Sequence, residues 1–309
     1  MQSLSCSIIV CTYNRADSLN TTLKHLVQQD FKGGDLEILV IDNNSDDHTP
    51  QIAQQYESSD GVPVRYHFEP VQGISKARNT GVAISKADVL IFIDDDAYPV
   101  ALDWAHRIVS AFADDSVGAA GGKAQPVWPQ QGGRPDWLHD HLLPYLGIYD
   151  AGFSALSPLS YPNYPYGVNI AFRRSLLEEV GSFSEGVGRQ GLVLLSGEET
   201  ELCKRIDEAG HQVVFVPDAA VNHVMAPGRL THEWFLRRAG FQGTSKVLIE
   251  WDTGALTRIK LVLKRLLILS GAVGATFLLR LLGNKPLAFV ARCKWEMSKK
   301  YLAYALGAK

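Results

Sequence analysis

The chain has 309 residues, 46% of them hydrophobic and 20% charged, with a formal net charge of -3. That length can bury a substantial core, and the balance excludes wholesale disorder. Cys6, Cys11, Cys203 and Cys293 form no C-x-x-C pair, so neither a zinc site nor a disulfide framework is expected, and a reducing compartment is.

The N-terminus runs almost directly into a strand-like stretch, without the basic and long apolar regions of a signal peptide, so a cytoplasmic origin is expected. Apolar, β-branched runs at 7–12, Leu36–Asp42, Val64–Phe68 and Val89–Asp94 alternate with helix-like stretches near 17–29, 48–57 and 75–85. This rhythm predicts a parallel sheet with right-handed crossovers. Asp17 and Asp47 stand where helix caps belong. Residues 97–116 read as a helix with Trp104, Ile108, Val109 and Phe112 on its apolar face. Residues 124–166, rich in Pro, Gly and aromatics, read as a long functional loop. A strand is expected near 166–172, a helix over 198–209 and a strand over 212–216.

The last eighty residues differ in kind. Residues 1–228 carry 15 Lys and Arg against 29 Asp and Glu, a net of -14; residues 229–309 carry 15 against 4, a net of +11. A basic tail on an acidic body points to an anionic partner. Residues 261–282 are apolar but interrupted by Lys264, Arg265 and Arg280. The uncharged stretch, 266–279, is shorter than the roughly 20 residues a spanning helix needs. An amphipathic helix in a membrane interface or a helix packed on the catalytic body is expected instead.

The chemistry gathers where strands end, the edge on which such sheets bind ligands. The run Val89–Asp94 leads into Asp94, Asp95 and Asp96. Adjacent carboxylates must be hydrated, paired or metal-bound, and hard divalent cations take carboxylate oxygens together with substrate phosphates. Asp94 and Asp96 are placed to share an ion, with Asp95 pointing elsewhere. Glu198, Glu199 and Glu201 open a helix, where acids suit the dipole and where Glu199 is placed to act as a general base. Gly73 leads into a helix start bearing Lys76 and Arg78, cations suited to phosphate or to an acidic neighbour. His223 is a metal-ligand candidate by its company alone. No G-x-G-x-x-G follows the first strand, and no P-loop, zincin pair or nucleophile elbow occurs.

Taken in order over roughly 5–225, these pieces resemble the family 2 inverting nucleotide-sugar glycosyltransferases. The resemblance implies an α/β, Rossmann-like, mostly parallel sheet flanked by helices (the A-type glycosyltransferase fold), here with a basic helical C-terminal extension. It implies a catalytic domain over 1–228, with a nucleotide-binding half to 123 and an acceptor half from 124, followed by an extension over 229–309. By the same resemblance Thr12, Tyr13, Asn14, Arg15, Asp42, Arg78, Asp94, Asp95 and Asn169 bind the nucleotide sugar. Asp96, Asp94 and His223 hold Mn2+ or Mg2+, and Glu199 is the base, with Glu198 and Glu201 as alternates because the family often has Glu-Asp there. Arg237 and Arg238 resemble a basic pair that some members direct at the donor diphosphate.

The implied activity is metal-dependent transfer of a sugar, with a UDP-sugar favoured as donor, to an acceptor hydroxyl in polysaccharide or glycolipid biosynthesis. The implied partners are the donor, a saccharide or lipid-linked saccharide acceptor and an anionic membrane surface met through 229–309, with no nucleic acid. The implied location is cytoplasmic or peripheral on the inner face of the cell membrane. Trp128, Trp137, Tyr145 and Tyr149 are placed either to stack on sugar rings or to join the core. A sugar-nucleotide nucleotidyltransferase would carry a Gly-rich basic loop where this chain has Thr12 to Ala16. A non-catalytic binding module would not need Asp94, Asp96 and Glu199.

Overall fold

A computed structural model describes residues 3–58, 60–190, 193–251 and 254–307. Four parallel strands form one half of its sheet: β1 (Cys6–Thr12), β2 (Leu36–Asp42), β3 (Val64–Phe68) and β4 (Val89–Asp94). Alternate residues of these runs enter different cores. Ile8, Val10, Ile38 and Val40 face one, while Ile9, Leu39 and Ile41 face the other. Burial on both faces is why β1, β2 and β4 read as apolar runs, whereas β3, at the edge, is mostly exposed. The crossovers are α1 (Ala16–Leu26), α2 (Thr49–Glu57) and α3 (Ile74–Ile84).

The other half is mixed. β5 (Ala97–Pro99), β6 (Val117–Val127), β7 (Ser157–Leu159), β8 (Asn169–Arg173) and β9 (Gln212–Val224) complete a nine-stranded sheet in the order β3-β2-β1-β4-β8-β6-β9-β5, with β7 on β9. β6 and β9 run with the first four strands, whereas β8, β5 and β7 run against them. Helices α4 (Trp104–Ser110), α5 (Arg174–Val180) and α6 (Glu198–Glu208) flank this half.

Several elements depart from the sequence reading. The expected helix over 97–116 is a short strand, then α4, then a 3-10 turn over Ala111–Ala113. The expected loop from 124 begins inside β6, a strand of glycine and alanine that propensity hides. Its small residues answer to space: a Cβ on Gly122 would collide with the Ala219 carbonyl. β9 runs on past Pro217 to Val224, with a register irregularity between Gly122 and Ala124 of β6. Asp17 lies within the first turn of α1 and caps nothing. Asp47 instead joins two helix starts, accepting from the amides of Ala16 at 3.1 Å and Thr49 at 2.9 Å.

By its contacts the chain forms two compact units. One comprises Met1–Val127, Gly147–Gly186 and Glu198–Val224 and holds the sheet. The other comprises Trp128–Leu146, Val187–Gly197 and Met225–Lys309. Its helices are α7 (His232–Glu250), α8 (Ala255–Leu281) and α9 (Lys285–Ala305). α9 packs on both of the others. Side chains cap α7 and α9: Thr231 accepts from the Trp234 amide, and Asn284 from the Leu287 amide.

Candidate active site

Register brings the polar strand ends level. Thr12 pairs with Asp42 across β1 and β2, and Cys11 with Asp94 across β1 and β4, so all lie at the carboxyl edge. Ala97 pairs with His223 across β5 and β9, setting the histidine beside the acidic turn. Asp94, Asp96 and His223 each offer a ligand atom, all within 4.8 Å of one another. The His223 Nε2 lies 3.1 Å from Asp96 Oδ1, and its buried Nδ1 has no partner among the described residues. Two carboxylates and an imidazole form a donor set suited to Mn2+ or Mg2+, so these residues fit such an ion.

Asp95 is used differently. Its carboxylate accepts from Thr12 Oγ1 at 2.8 Å and Arg15 Nη1 at 3.3 Å, and its carbonyl from Thr22 Oγ1 at 2.9 Å. Burial pushes its carboxyl up to about 7, against the pull of Arg15. Arg15 also forms a short ion pair with Asp96. Asp95 thereby anchors the turn that presents Asp94 and Asp96.

Arg78 links this turn to the start of α6. Its guanidinium is buried, 2.6 Å from Glu198, 3.6 Å from Asp94 and 4.0 Å from Glu199. Phe183 and Phe92 lie under it at 5.4 and 5.9 Å. Gly167 closes on it from the backbone, where a Cβ would collide with Nη2. A buried cation needs such company, because an unpaired charge away from water is costly. Glu198 is committed to Arg78, and Glu201 to Arg205 at 2.8 Å and Ser184 at 2.9 Å. Glu199 reaches Arg78 only at 4.0 Å, and burial first, then Glu198, raises its carboxyl to about 7. Of the three acids it makes the loosest contact with a cation, although Glu198 also keeps one oxygen, Oε2, without a partner among the described residues.

The expected nucleotide residues separate into presented and occupied. Tyr13 is 43% exposed at the edge. Asn14, at φ 53°, ties the β1–α1 turn to the next one, donating its amide to Ser45 Oγ and accepting the Asp46 amide. Asp42 is fully buried and accepts from Tyr66 Oη and the Ser45 amide, both at 2.9 Å. Asn43, one of the polar residues that follow β2, holds the loop before α3: its Oδ1 accepts from the Gly73 amide and its Nδ2 donates to Val71 O. The paired asparagines after Asp42 were the available signal, since such side chains commonly hold turns.

Asn169 lies level with the carboxyl edge, opposite Ile93, but its side chain is not exposed there. It is fully buried, donating to the carbonyls of Lys123 at 3.0 Å and Ala219 at 2.8 Å and accepting from Trp104 Nε1 at 3.2 Å. Asn169→Leu strands all three groups, at about 1–3 kcal/mol each. The expected result is a loss of at least roughly 3 kcal/mol in urea unfolding with donor KM unchanged in the folded fraction. An unchanged midpoint with a raised KM would make Asn169 a ligand contact.

Of the long loop's aromatics, Tyr149 and Trp137 are packed, while Phe153 and Tyr161 are 44% and 37% exposed. Tyr149 is buried with its hydroxyl on Asn163 O, and Trp137 stacks on His232 against Phe235 and Phe289. Arg238 is buried in the helical unit, donating to Leu194 O and Ser196 Oγ.

A Rossmann-like half-sheet, a strand ending in Asp94-Asp95-Asp96 and a buried acid at the start of α6 together define an A-type glycosyltransferase. The chain belongs to glycosyl transferase family 2, whose sequence pattern matches residues 7–181, and it is a glycosyltransferase. It is 28% identical over 249 residues to the glucosyl-dolichyl phosphate glucuronosyltransferase of Haloferax volcanii, covering 79% of this chain and 77% of that one. It is 29% identical over 231 residues to glycosyltransferase AglE of the same organism, covering 74% and 70%. The fold matches the mannosyltransferase PcManGT from Pyrobaculum calidifontis, solved with GDP-Man and Mn2+, at TM-score 0.65 and 21% identity. That match covers 100% of this chain and 87% of the other.

Proposed function

We propose that the protein is a metal-dependent inverting glycosyltransferase that moves a sugar from a nucleotide-diphosphate sugar, a UDP-sugar favoured, to the hydroxyl of a saccharide or lipid-linked saccharide. The observation that carries the reading is the joining of two acid groups through one buried cation: Asp94, Asp96 and His223 on one side of Arg78, Glu199 on the other. Asp94, Asp96 and His223 would hold Mn2+ or Mg2+, which when bound supplies positive charge against the leaving diphosphate. Glu199 takes the acceptor hydroxyl proton, and the oxygen bonds to the anomeric carbon from the face opposite the leaving group. The bond from that carbon to the phosphate oxygen breaks, and its electron pair leaves with the nucleoside diphosphate. One displacement inverts the centre.

Tyr13 is the exposed ring available to the base, over a rim that Asn14, Asp42 and Asn43 hold rigid. The named activity of the archaeal relative supports a lipid-linked acceptor. The basic 229–309 segment supports work at the cytoplasmic face of a membrane, as a peripheral protein.

The test is thermal stability with UDP, GDP, dTDP and ADP, each with and without Mn2+. A nucleotide at 100 times its Kd adds about 2.7 kcal/mol, a shift of a few degrees. Stabilisation by one nucleotide and dependent on the ion is expected. No shift from any of them would favour a module without donor binding. Release of pyrophosphate rather than nucleoside diphosphate in turnover would make the protein a nucleotidyltransferase.

A further inference from the structure

Helix α8 is built inside out. Its 27 residues turn Arg265, Ala272 and Thr276 inward, while Leu256, Leu263, Leu267, Leu278 and Leu281 stand 55–85% exposed. A helix bathed only in water does the reverse. Its most apolar stretch has a mean hydropathy of 1.7 and is only 17% buried, which is not the burial of a core helix. The inward side is held by polar contacts. Arg265 lies 3.7 Å from Glu250 of α7 and 4.6 Å above the ring of Tyr301 of α9. Apolar outside with polar and small inside is the arrangement of helices that associate in lipid.

By length and composition α8, with 27 residues, could cross a membrane, against the sequence expectation, but two observations favour a placement in its plane. The uncharged run 266–279 is about 21 Å long at 1.5 Å per residue, short of the roughly 30 Å of hydrocarbon. Its packing partner α9 exposes Lys285, Arg292, Lys294, Lys299 and Lys300, charges that cannot follow it into that hydrocarbon. We propose that α8 lies in the plane of an anionic leaflet, its leucine stripe among the upper acyl chains. The exposed Lys260, Lys264 and Arg280 lie at the lipid phosphates. This deepens the membrane reading above and rests on it, naming the element, its orientation and the lipid charge.

The test is flotation of the full chain with phosphatidylcholine vesicles, with or without a phosphatidylglycerol fraction, at low and high salt. Binding to both is expected, tighter to the anionic vesicles, with salt removing the difference. Leu267→Glu/Leu278→Glu should reduce partition about tenfold or more on both. Lys260→Gln/Lys264→Gln should remove only the anionic preference. Fluorophores on Leu256→Cys, Leu267→Cys and Leu278→Cys should report one shallow depth. A deep centre with shallow ends would mean a spanning helix and overturn the in-plane placement. Wild-type protein that ignores vesicles, or a dimer in solution that the double glutamate variant dissolves, would make the stripe a protein interface. Turnover of donor with a water-soluble acceptor, measured in parallel, separates a failure of membrane docking from a failure of the sugar-transfer reading.

Discussion

Glu199→Gln is expected to slow sugar transfer by about 10²–10⁴-fold, to leave the fold intact and, above neutral pH, to make it more stable. Glu199 sits buried in the first turn of α6, and its carboxyl is raised to about 7 by that burial and by Glu198 and Asp94, with Arg78 pulling the other way. A carboxylate that titrates near neutrality is matched to the task of a general base. Wild-type turnover should rise with pH through about 7 and level off above it, since only the ionised form accepts a proton. Glutamine removes that rise and about 10²–10⁴-fold of rate.

The stability effect has the opposite sign. The folded chain holds this proton more tightly than the unfolded chain, whose carboxyl titrates at its ordinary 4.5. The resulting stability is full below 4.5 and is lost as pH rises through about 7. At about 1.4 kcal/mol per pKa unit, ionised Glu199 costs the fold roughly 3 kcal/mol, a cost glutamine avoids. Urea midpoints and kcat against pH for both proteins check this. A variant that kept the rise through about 7 would place the base elsewhere. A variant less stable than the parent above neutrality would mean that Arg78 depends on the charge of Glu199.

The half of the fold that carries β1 to β4 is legible in the sequence because β1, β2 and β4 are buried on both faces, which writes them as apolar runs, and the edge strand β3 follows from the alternation of strands and helices. The acids are legible because they directly follow such a run or open a helix. What joins them is not. Arg78 and Glu198 meet across 120 residues, and nothing local in Gly73–Gly81 says whether its arginine turns to a phosphate or to an acid. The space that admits the guanidinium is kept by Gly167, a glycine that sequence alone cannot tell from any loop glycine. β6 is hidden by small residues that serve close approach, and the far end of β9 by Pro217. Asn169 stands in a motif that the resemblance assigns to the sugar pocket, yet its hydrogen bonds stitch β8 to the backbone of β6 and β9. A buried asparagine that satisfies three backbone and side-chain groups and one that touches a ligand look the same in one sequence.

Asp96→Asn is expected to remove the metal-dependent part of nucleotide binding and about a thousandfold of transfer rate, taking several kcal/mol as the worth of an ion on a leaving diphosphate. The substitution keeps size and a polar group toward His223 and removes only the charge. Among Asp94, Asp95 and Asp96 the contacts differ: Asp96 converges with Asp94 and His223 and also pairs with Arg15, while Asp95 faces Thr12 and Arg15. Asp95→Ala should therefore fail differently. Its loss frees the Thr12 hydroxyl and half of the Arg15 contact in a buried setting, at about 1–3 kcal/mol for each group left without a partner. The expected pattern is a folded Asp96→Asn protein whose nucleotide stabilisation no longer responds to Mn2+, beside an Asp95→Ala protein with a lowered melting temperature at every Mn2+ concentration. If Asp96→Asn kept its response to Mn2+, Asp96 would not be a ligand that the ion needs. If it bound nucleotide more weakly by the same factor with and without Mn2+, Asp96 would act through Arg15 alone, as a second anchor of the turn rather than as a ligand.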